Sequence, residues 1–320
     1  MDKLANDILI ILPVFNDWVS AEQLLPQIDA VAKKVTGKFE ILFIDDGTIA
    51  CHKTSLPFGK YENIRNIEIV HLVRNIGHQR AIAIGLSYAA HRKIFDKLIV
   101  MDSDGEDRPG DIEKLMEISK IHEDQIIFAA RIKRNETIIF RLFYRIYRGL
   151  FRLLTGIPIS FGNFCIIPVK YVKQLGCMPE LWNHFAAGII RSKIPRMLLP
   201  LERGTRIEGS SKMNFQALII HGLSAISVFI DTMAIRLLVL CLFLIFISIS
   251  AILVIFGVKL FSNFAVPGWA SYIVLGFSSV LLQAVTLFFV QAFLVLSFRS
   301  QKSFVPYYDY RQFIDCQEGK

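Results

Sequence analysis

No Asp, Glu, Lys or Arg stands between Arg236 and Lys259, and none between Lys259 and Arg299. A helix of about 20 apolar residues crosses the hydrocarbon core of a bilayer. Leu237–Val258 therefore reads as one span. The second stretch holds a loop, Leu260 to about Trp269 with Pro267 and Gly268, and then a second span, about Ala270 to Phe298. Trp269 and Tyr272 stand where an interfacial aromatic belt would. The competing reading is a pair of buried core helices, but core helices of this length rarely lack every charge.

The remainder must be a different kind of chain. Mean hydropathy is +0.45, yet 20% of the 320 residues are charged, which is too many for a protein lying wholly in a bilayer. The average hides two unlike parts. The high apolar content and modest Gly and Pro exclude a disordered or fibrous chain. The apolar run Ile8–Val14 is short, follows Asp7 and precedes no cleavage site, so no signal peptide is expected. The catalytic part and the tail are then expected in the cytoplasm, with the protein a multi-pass component of the cytoplasmic membrane. The tail's Arg299, Lys302, Arg311 and Lys320 against the loop's Lys259 agree with that orientation. The five cysteines form no CxxC pair and are odd in number, which suits a reducing compartment.

Residues 1–212 are long enough for one α/β domain. Ile8–Pro13, Phe39–Ile44, Ile67–Leu72 and Lys97–Met101 read as buried strands, separated by helical patterns at 20–35, 80–94 and 111–120. Such alternation predicts a mostly parallel, Rossmann-like sheet, whose ligands bind beyond the carboxyl ends of the strands. Those ends carry Pro13-Val-Phe-Asn-Asp17, Asp45-Asp46-Gly47-Thr48, Arg74-Asn75-Ile-Gly77 and Asp102-Ser-Asp104-Gly-Glu-Asp107. One acidic loop is usually a solvated turn. Three on one edge repel unless a cation or a ligand's donors compensate.

Asp102 and Asp104 can face one ion, and their hard oxygens suit Mg²⁺ or Mn²⁺, which keep waters and bind ligand phosphates. The EF-hand, P-loop and GxGxxG patterns are absent from the sequence. Basic side chains must then help hold a phosphate. Arg131, Lys133 and Arg134 follow the apolar run Ile126–Ala130. Arg206 and Lys212 flank a loop with Gly209 and two serines, where cations would neutralise charge on a departing diphosphate.

Pro13-x-Phe15-Asn-Asp17, Asp45-Asp46-Gly47, Asp102-x-Asp104, Ala-Arg131 and Arg206-x-x-Gly209-x-Ser211-Lys212 occur in that order. The set resembles family-two GT-A glycosyltransferases. The two trailing spans narrow the likeness to polyprenyl-phosphate glycosyltransferases, dolichol-phosphate mannose synthases and bacterial polyprenyl-phosphate glucosyltransferases among them. The resemblance implies inverting, metal-dependent transfer of one sugar from a nucleotide-diphosphate sugar to a polyprenyl phosphate. It implies that Pro13, Phe15, Asp17, Ile44 and Asp46 hold base and ribose. Asp102, Ser103 and Asp104 would hold diphosphate and metal, with Asp104 the foremost ligand. Arg131, Arg206 and Lys212 would hold the sugar diphosphate.

Two positions depart from that family. Asp17 stands where Glu is usual. Asn163, in Gly162-Asn163-Phe164, stands where many relatives carry an Asp that is a candidate base, and Asn takes up no proton at neutral pH. A phosphate monoester has a second pKa of about 6, so at neutral pH it is already a nucleophile and needs no base. A hydroxyl acceptor would need one, and Glu106, Asp107 and His184 are the candidates. Transfer to a hydroxyl of a glycolipid or polysaccharide therefore stays open, although no QxxRW motif occurs. So does an inactive sugar-nucleotide-binding subunit.

Arg141, Arg145, Arg148 and Arg152 recur at helical spacing in 138–154, beside Leu142, Phe143, Ile146, Leu150 and Phe151. A basic amphipathic helix of this kind lies in a membrane interface and attracts anionic lipid. A core helix with a solvated basic stripe is the alternative. The net charge of +8 is thereby assigned to a membrane-facing surface, not to nucleic acid. Residues 213–235 are expected to be a juxtamembrane helix, 236–298 a transmembrane hairpin and 299–320 a cytoplasmic tail. Such hairpins often pack across subunits, which is compatible with a homo-oligomer.

Overall fold

The computed structural model describes residues 7–35, 37–48, 60–92, 95–131, 138–158, 162–208, 215–261, 268–301 and 304–319. The chain divides into two compact units. The first takes in 1–149, 158–228 and 304–320, and the second 150–157 and 229–303.

The first unit is built on an eight-stranded sheet. Its strands are β1 (Ile8–Val14), β2 (Phe39–Asp45), β3 (Ile64–Leu72), β4 (Lys97–Val100), β5 (Ile126–Arg131), β6 (Cys165–Pro168), β7 (Arg196–Leu201) and β8 (Ile314–Gly319). They lie in the order β7-β5-β6-β4-β1-β2-β3-β8. β1 pairs in parallel with β2 and β4, β2 with β3, and β5 with β7. β6 is inserted antiparallel between β4 and β5. The expected mostly parallel α/β sheet is present.

Parallel strands must be joined by crossovers, and the helices α1 (Trp18–Lys34), α2 (His78–Arg92) and α3 (Asp111–Ile121) provide them. Helices on both faces bury both sides of the sheet, so β1 is apolar throughout rather than alternating. The period of two still sorts its side chains. Ile8, Ile10 and Leu12 join the core beneath α1 and α3. Leu9 and Ile11 join the one beneath α2. α2 sits close on the sheet because Gly85 faces β1, where a Cβ would lie 2.8 Å from Ile11 Cγ2.

The sequence marks the first four strands but not the last four. β6 is only four residues long, and β7 is half exposed and contains Pro200. β8 differs more: residues 304–319, set apart above as a tail, belong to the first unit, and β8 pairs antiparallel with β3. Its Asp315, Gln317 and Glu318 give no apolar signal, as befits a charged edge strand.

In the first unit α5 (Val169–Gly176), α6 (Phe185–Ser192) and α7 (Phe215–Ser227) follow β6. Arg191 Nη1 donates to the Val228 carbonyl at 2.9 Å, and Tyr147 Oη to that of Gly222 at 3.4 Å. α4 (Ile138–Thr155) carries Arg145, Arg148 and Arg152 as exposed residues.

The second unit contains α8 (Ile230–Phe261) and α9 (Trp269–Ser300), both long and apolar enough to cross a membrane. Few of their residues are buried, and Phe246, Leu253, Leu282 and Phe289 are among those exposed, which a water-bathed core helix would not tolerate. The buried positions of α8 are Ala234, Cys241, Ser248 and Ile255, a seven-residue repeat that marks a coiled-coil-like seam. The last turn of α4 ends at Gly156, which adopts φ +81°. There Arg236 donates to the carbonyls of Arg152 and Leu153.

Candidate active site

Strand ends position the site. Val100 of β4 pairs with Cys165 of β6. Asp102 follows the end of β4 by two residues, and Asn163 precedes the start of β6 by two. The N-terminus of α2 arrives beside both: His78 Nε2 lies 3.1 Å from Asp102 Oδ1 and 3.0 Å from Asn163 Nδ2. Gln79 Nε2 donates to Asn163 Oδ1 at 3.3 Å.

The β4 loop is held to its neighbours. Ser103 Oγ donates to the Pro13 carbonyl at 2.7 Å, locking it to the end of β1. The Asp102 N–H donates to buried Asp107 Oδ2 at 3.0 Å. Asp104 Oδ1 accepts from the Glu106 N–H at 2.9 Å, and Asp104 Oδ2 from Arg206 Nη2 at 2.6 Å. Residues 202–207 run alongside this loop. Gly204 N–H donates to the Glu106 carbonyl at 2.8 Å and Ile207 N–H to that of Asp104 at 3.0 Å. Gly105 adopts φ +87° under the Ile207 side chain, leaving no room for a Cβ.

Arg206 gathers the acidic rim. Its Nη1 lies 3.8 Å from Asp17 Oδ2 and its Nε 3.8 Å from Glu106 Oε1. Arg203 pairs with the other oxygen of Glu106. The repulsion expected of converging carboxylates is thus met by two arginines.

Asp46 plays a local role. Its two oxygens accept from the Ile76 and Gly77 N–H groups at 2.7 and 2.9 Å, fixing the loop that leads into α2. Burial raises its carboxyl pKa, and those two bonds partly oppose the rise. Gly47, at φ +70°, lets the β2 loop press on the Arg74–Asn75 backbone. Asn16, also left-handed at φ +51°, donates its N–H to Thr48 Oγ1 at 3.3 Å, tying the β1 and β2 loops together. Phe15 and Asp17 are half-buried in the β1 loop. Ile44 is wholly buried beneath Gly85, in a strand paired on both sides, and offers no surface to a ligand, contrary to its expected place in the nucleotide site.

Charge also shapes the histidines. Burial alone would lower the His78 pKa, but Asp102, through its charge and hydrogen bond, and then Asp104 and Asp107 outweigh burial and raise it. His184, 4% exposed, caps α6 by accepting at Nδ1 from the Ala187 N–H, and its Nε2 lies 3.2 Å from His221 Nε2. Burial, then the charge of His221, push its pKa down to about 3.

Asp17, Asp102, Ser103, Asp104, Asn163 and Arg206 are therefore linked into one region, while Asp46 braces it. Arg131 ends β5 opposite Leu201, but its side chain, like that of Arg141, lies outside the described residues. So do Lys133, Arg134, Gly209, Ser211 and Lys212. Sequence reasoning missed His78 and Gln79. The helix was expected from Arg80, whereas it begins directly after Gly77, whose φ is +97°. That glycine after Asn75 was the available signal.

The donor set fits a hard divalent cation that arrives with phosphate. Among the described residues no three His, Cys, Asp or Glu side chains gather into a closed metal cage. A Mg²⁺-like ion takes only one or two carboxylates and completes its shell with water and substrate phosphates. Asp102 and Asp104 supply that number.

A family model and several relatives match the sequence of this chain. The model of the family described as Glycosyl transferase family 2 matches residues 9–176, more than half of the chain. An uncharacterised glycosyltransferase of Bacillus subtilis, YkcC, is 26% identical over 278 residues, covering 83% of this chain and 81% of that protein. The undecaprenyl-phosphate 4-deoxy-4-formamido-L-arabinose transferase of Klebsiella pneumoniae is 26% identical over 222 residues, 66% of this chain and 63% of the relative. Its Pectobacterium atrosepticum counterpart is 23% identical, 64% of this chain and 57% of the relative. The match thus spans less than two thirds of either transferase's length. Among solved structures, mannosyl-3-phosphoglycerate synthase from Rubrobacter xylanophilus superposes with a TM-score of 0.49 at 13% identity, covering 70% of this chain and 72% of that one. The chain belongs to glycosyl transferase family 2 and is a glycosyltransferase.

Proposed function

We propose that the enzyme transfers one sugar from a nucleotide-diphosphate sugar to a polyprenyl phosphate at the cytoplasmic face of a membrane. A lipid phosphate oxygen attacks the anomeric carbon. The bond from that carbon to the diphosphate breaks with inversion, leaving a lipid-linked phosphodiester and a nucleoside diphosphate. Asp102 and Asp104 would hold Mg²⁺ or Mn²⁺, which supplies positive charge to the diphosphate. Arg206, with Arg131 and Lys212, would neutralise charge developing on the leaving group. Pro13, Phe15, Asp17, Ser103 and the loop braced by Asp46 would form the nucleotide side. Residues 1–212 would be the catalytic domain, 213–235 a juxtamembrane helix and 236–298 the membrane hairpin, with Arg141, Arg145, Arg148 and Arg152 toward lipid head groups.

The observation that carries this reading is that, among the described residues, the candidate bases for a hydroxyl acceptor are already engaged or buried. Asn163, which takes up no proton, shares the neighbour His78 with Asp102. Glu106 is paired with Arg203, Asp107 is buried on the Asp102 N–H, and His184 is buried with its pKa pushed down to about 3. A phosphate monoester, mostly dianionic above its pKa of about 6, needs no base. The names of the Klebsiella and Pectobacterium relatives, undecaprenyl-phosphate sugar transferases, agree.

The test is a panel of radiolabelled nucleotide sugars offered to membranes containing the protein and undecaprenyl phosphate. Label should enter the lipid phase with one of them and fail to do so with EDTA. Tight binding of a nucleotide sugar without transfer to any lipid would instead mark a non-catalytic subunit.

A further inference from the structure

The orientation of a side-chain amide is normally ambiguous, but at Asn163 a chain of hydrogen bonds settles it. The chain starts at the Phe185 N–H, the first of α6, which has no partner within its own helix. A backbone N–H can only donate, and it meets Gln79 Oε1 at 2.7 Å. The other end of that amide is then Nε2, which donates to Asn163 Oδ1 at 3.3 Å. With its oxygen engaged, Asn163 turns Nδ2 toward His78, which in turn lies against Asp102. Gln79 thus links the start of α6 to the residue facing the acidic rim.

We propose that Gln79 is a positioning residue that locks the Asn163 amide with Nδ2 outward, so that position 163 offers hydrogen-bond donors to the acceptor and selects an anionic oxygen over a hydroxyl. The inference rests on the lipid-phosphate reading and sharpens it. An outward amide oxygen or a carboxylate would repel a phosphate dianion, whereas N–H groups attract one. The present neighbours of Nδ2 leave it ready for exchange. His78 Nε2 faces a fixed donor in Asn163 and a fixed acceptor in Asp102, and a single ring nitrogen cannot satisfy both. A phosphate oxygen accepting from Asn163 leaves His78 to Asp102 alone.

The full-length protein is assayed in nanodiscs with undecaprenyl phosphate and whichever of UDP-glucose, UDP-N-acetylglucosamine or GDP-mannose the wild type uses. Gln79→Glu still accepts from the Phe185 N–H but cannot donate to Asn163. Asn163→Asp keeps the Gln79 bond but removes the outward donors. Each should raise KM for undecaprenyl phosphate by about tenfold or more, the scale of a lost hydrogen bond to a charged group. KM for the nucleotide sugar and the melting temperature should hold. If Gln79 acts through Asn163, Gln79→Glu should add less than about twofold on an Asn163→Ala background. An unchanged acceptor KM in both single variants, or full additivity with Asn163→Ala, overturns the role of Gln79 while leaving the lipid-phosphate reading intact. A wild type that glycosylates undecaprenol but not undecaprenyl phosphate overturns both.

Discussion

Arg206 donates to Asp104 across 2.6 Å, joining the 202–207 segment to the loop after β4. The same guanidinium lies 3.8 Å from Asp17 and 3.8 Å from Glu106, so one cation balances carboxylates from two strand ends. Its removal should be felt where charge develops on the leaving diphosphate. Arg206→Ala is expected to lower kcat roughly 10²–10³-fold, the scale for loss of one electrostatic stabiliser. Arg206→Lys should lose less. Steady-state rates of nucleoside diphosphate release check this, and an Arg206→Ala enzyme at wild-type rate would remove Arg206 from the chemistry.

Asp104→Asn keeps the size of the side chain and the acceptor for the Glu106 N–H but removes the charge. Turnover should fall by about 10²-fold or more. Binding of Mn²⁺ in the presence of a nucleoside diphosphate, read by electron paramagnetic resonance, should weaken in parallel. Retained Mn²⁺ binding would move the metal away from Asp104.

Gly47 lies at φ +70° with its Cα against the Arg74–Asn75 backbone. Gly47→Ala forces both strain and a clash, and should destabilise the first unit by roughly 1–3 kcal/mol. Gly110, at φ −60° with open space around its Cα, is the control, and Gly110→Ala should be close to neutral. Thermal melting of detergent-solubilised protein separates the two. Equal melting temperatures would contradict the close approach of these loops.

Acid should weaken the fold through His184. Its folded pKa is pushed down to about 3, below the usual 6.5. The unfolded chain takes up the proton first, so stability is full above about pH 6.5 and falls as pH drops toward 3, by up to about 1.4 kcal/mol per pH unit. His184→Gln, which titrates nowhere in this range, should flatten the fall in melting temperature between about pH 7.5 and 5. An unchanged slope would place the acid sensitivity elsewhere.

The sequence carried the contiguous strands β4-β1-β2-β3 and the two long apolar helices because both rest on apolar runs whose length alone is informative. It carried Asp102 and Asp104 because charged residues at strand ends are conspicuous, and Arg206 because a cation beside a Gly- and Ser-bearing loop is. It did not reveal that Asp46 spends both oxygens on the Ile76 and Gly77 N–H groups, since a structural carboxylate and a ligand-binding one look alike in sequence. β8 was invisible because a polar edge strand has no hydrophobic period, and its partner β3 lies far away in the chain. His78 and Gln79 were hidden for a related reason. Their significance comes from meeting Asp102, Asn163 and Phe185, contacts made only once β6 is inserted against β4.

The central claim, transfer to a lipid phosphate, is tested most directly by the bond that is made. Phosphorus NMR of the lipid product, with phosphatase treatment alongside, distinguishes a phosphodiester from a monoester. The expected result is conversion of the undecaprenyl phosphate monoester to a phosphatase-resistant diester, with one nucleoside diphosphate released per labelled lipid. A product that retains the phosphomonoester signal, with the sugar on a hydroxyl, would contradict the account.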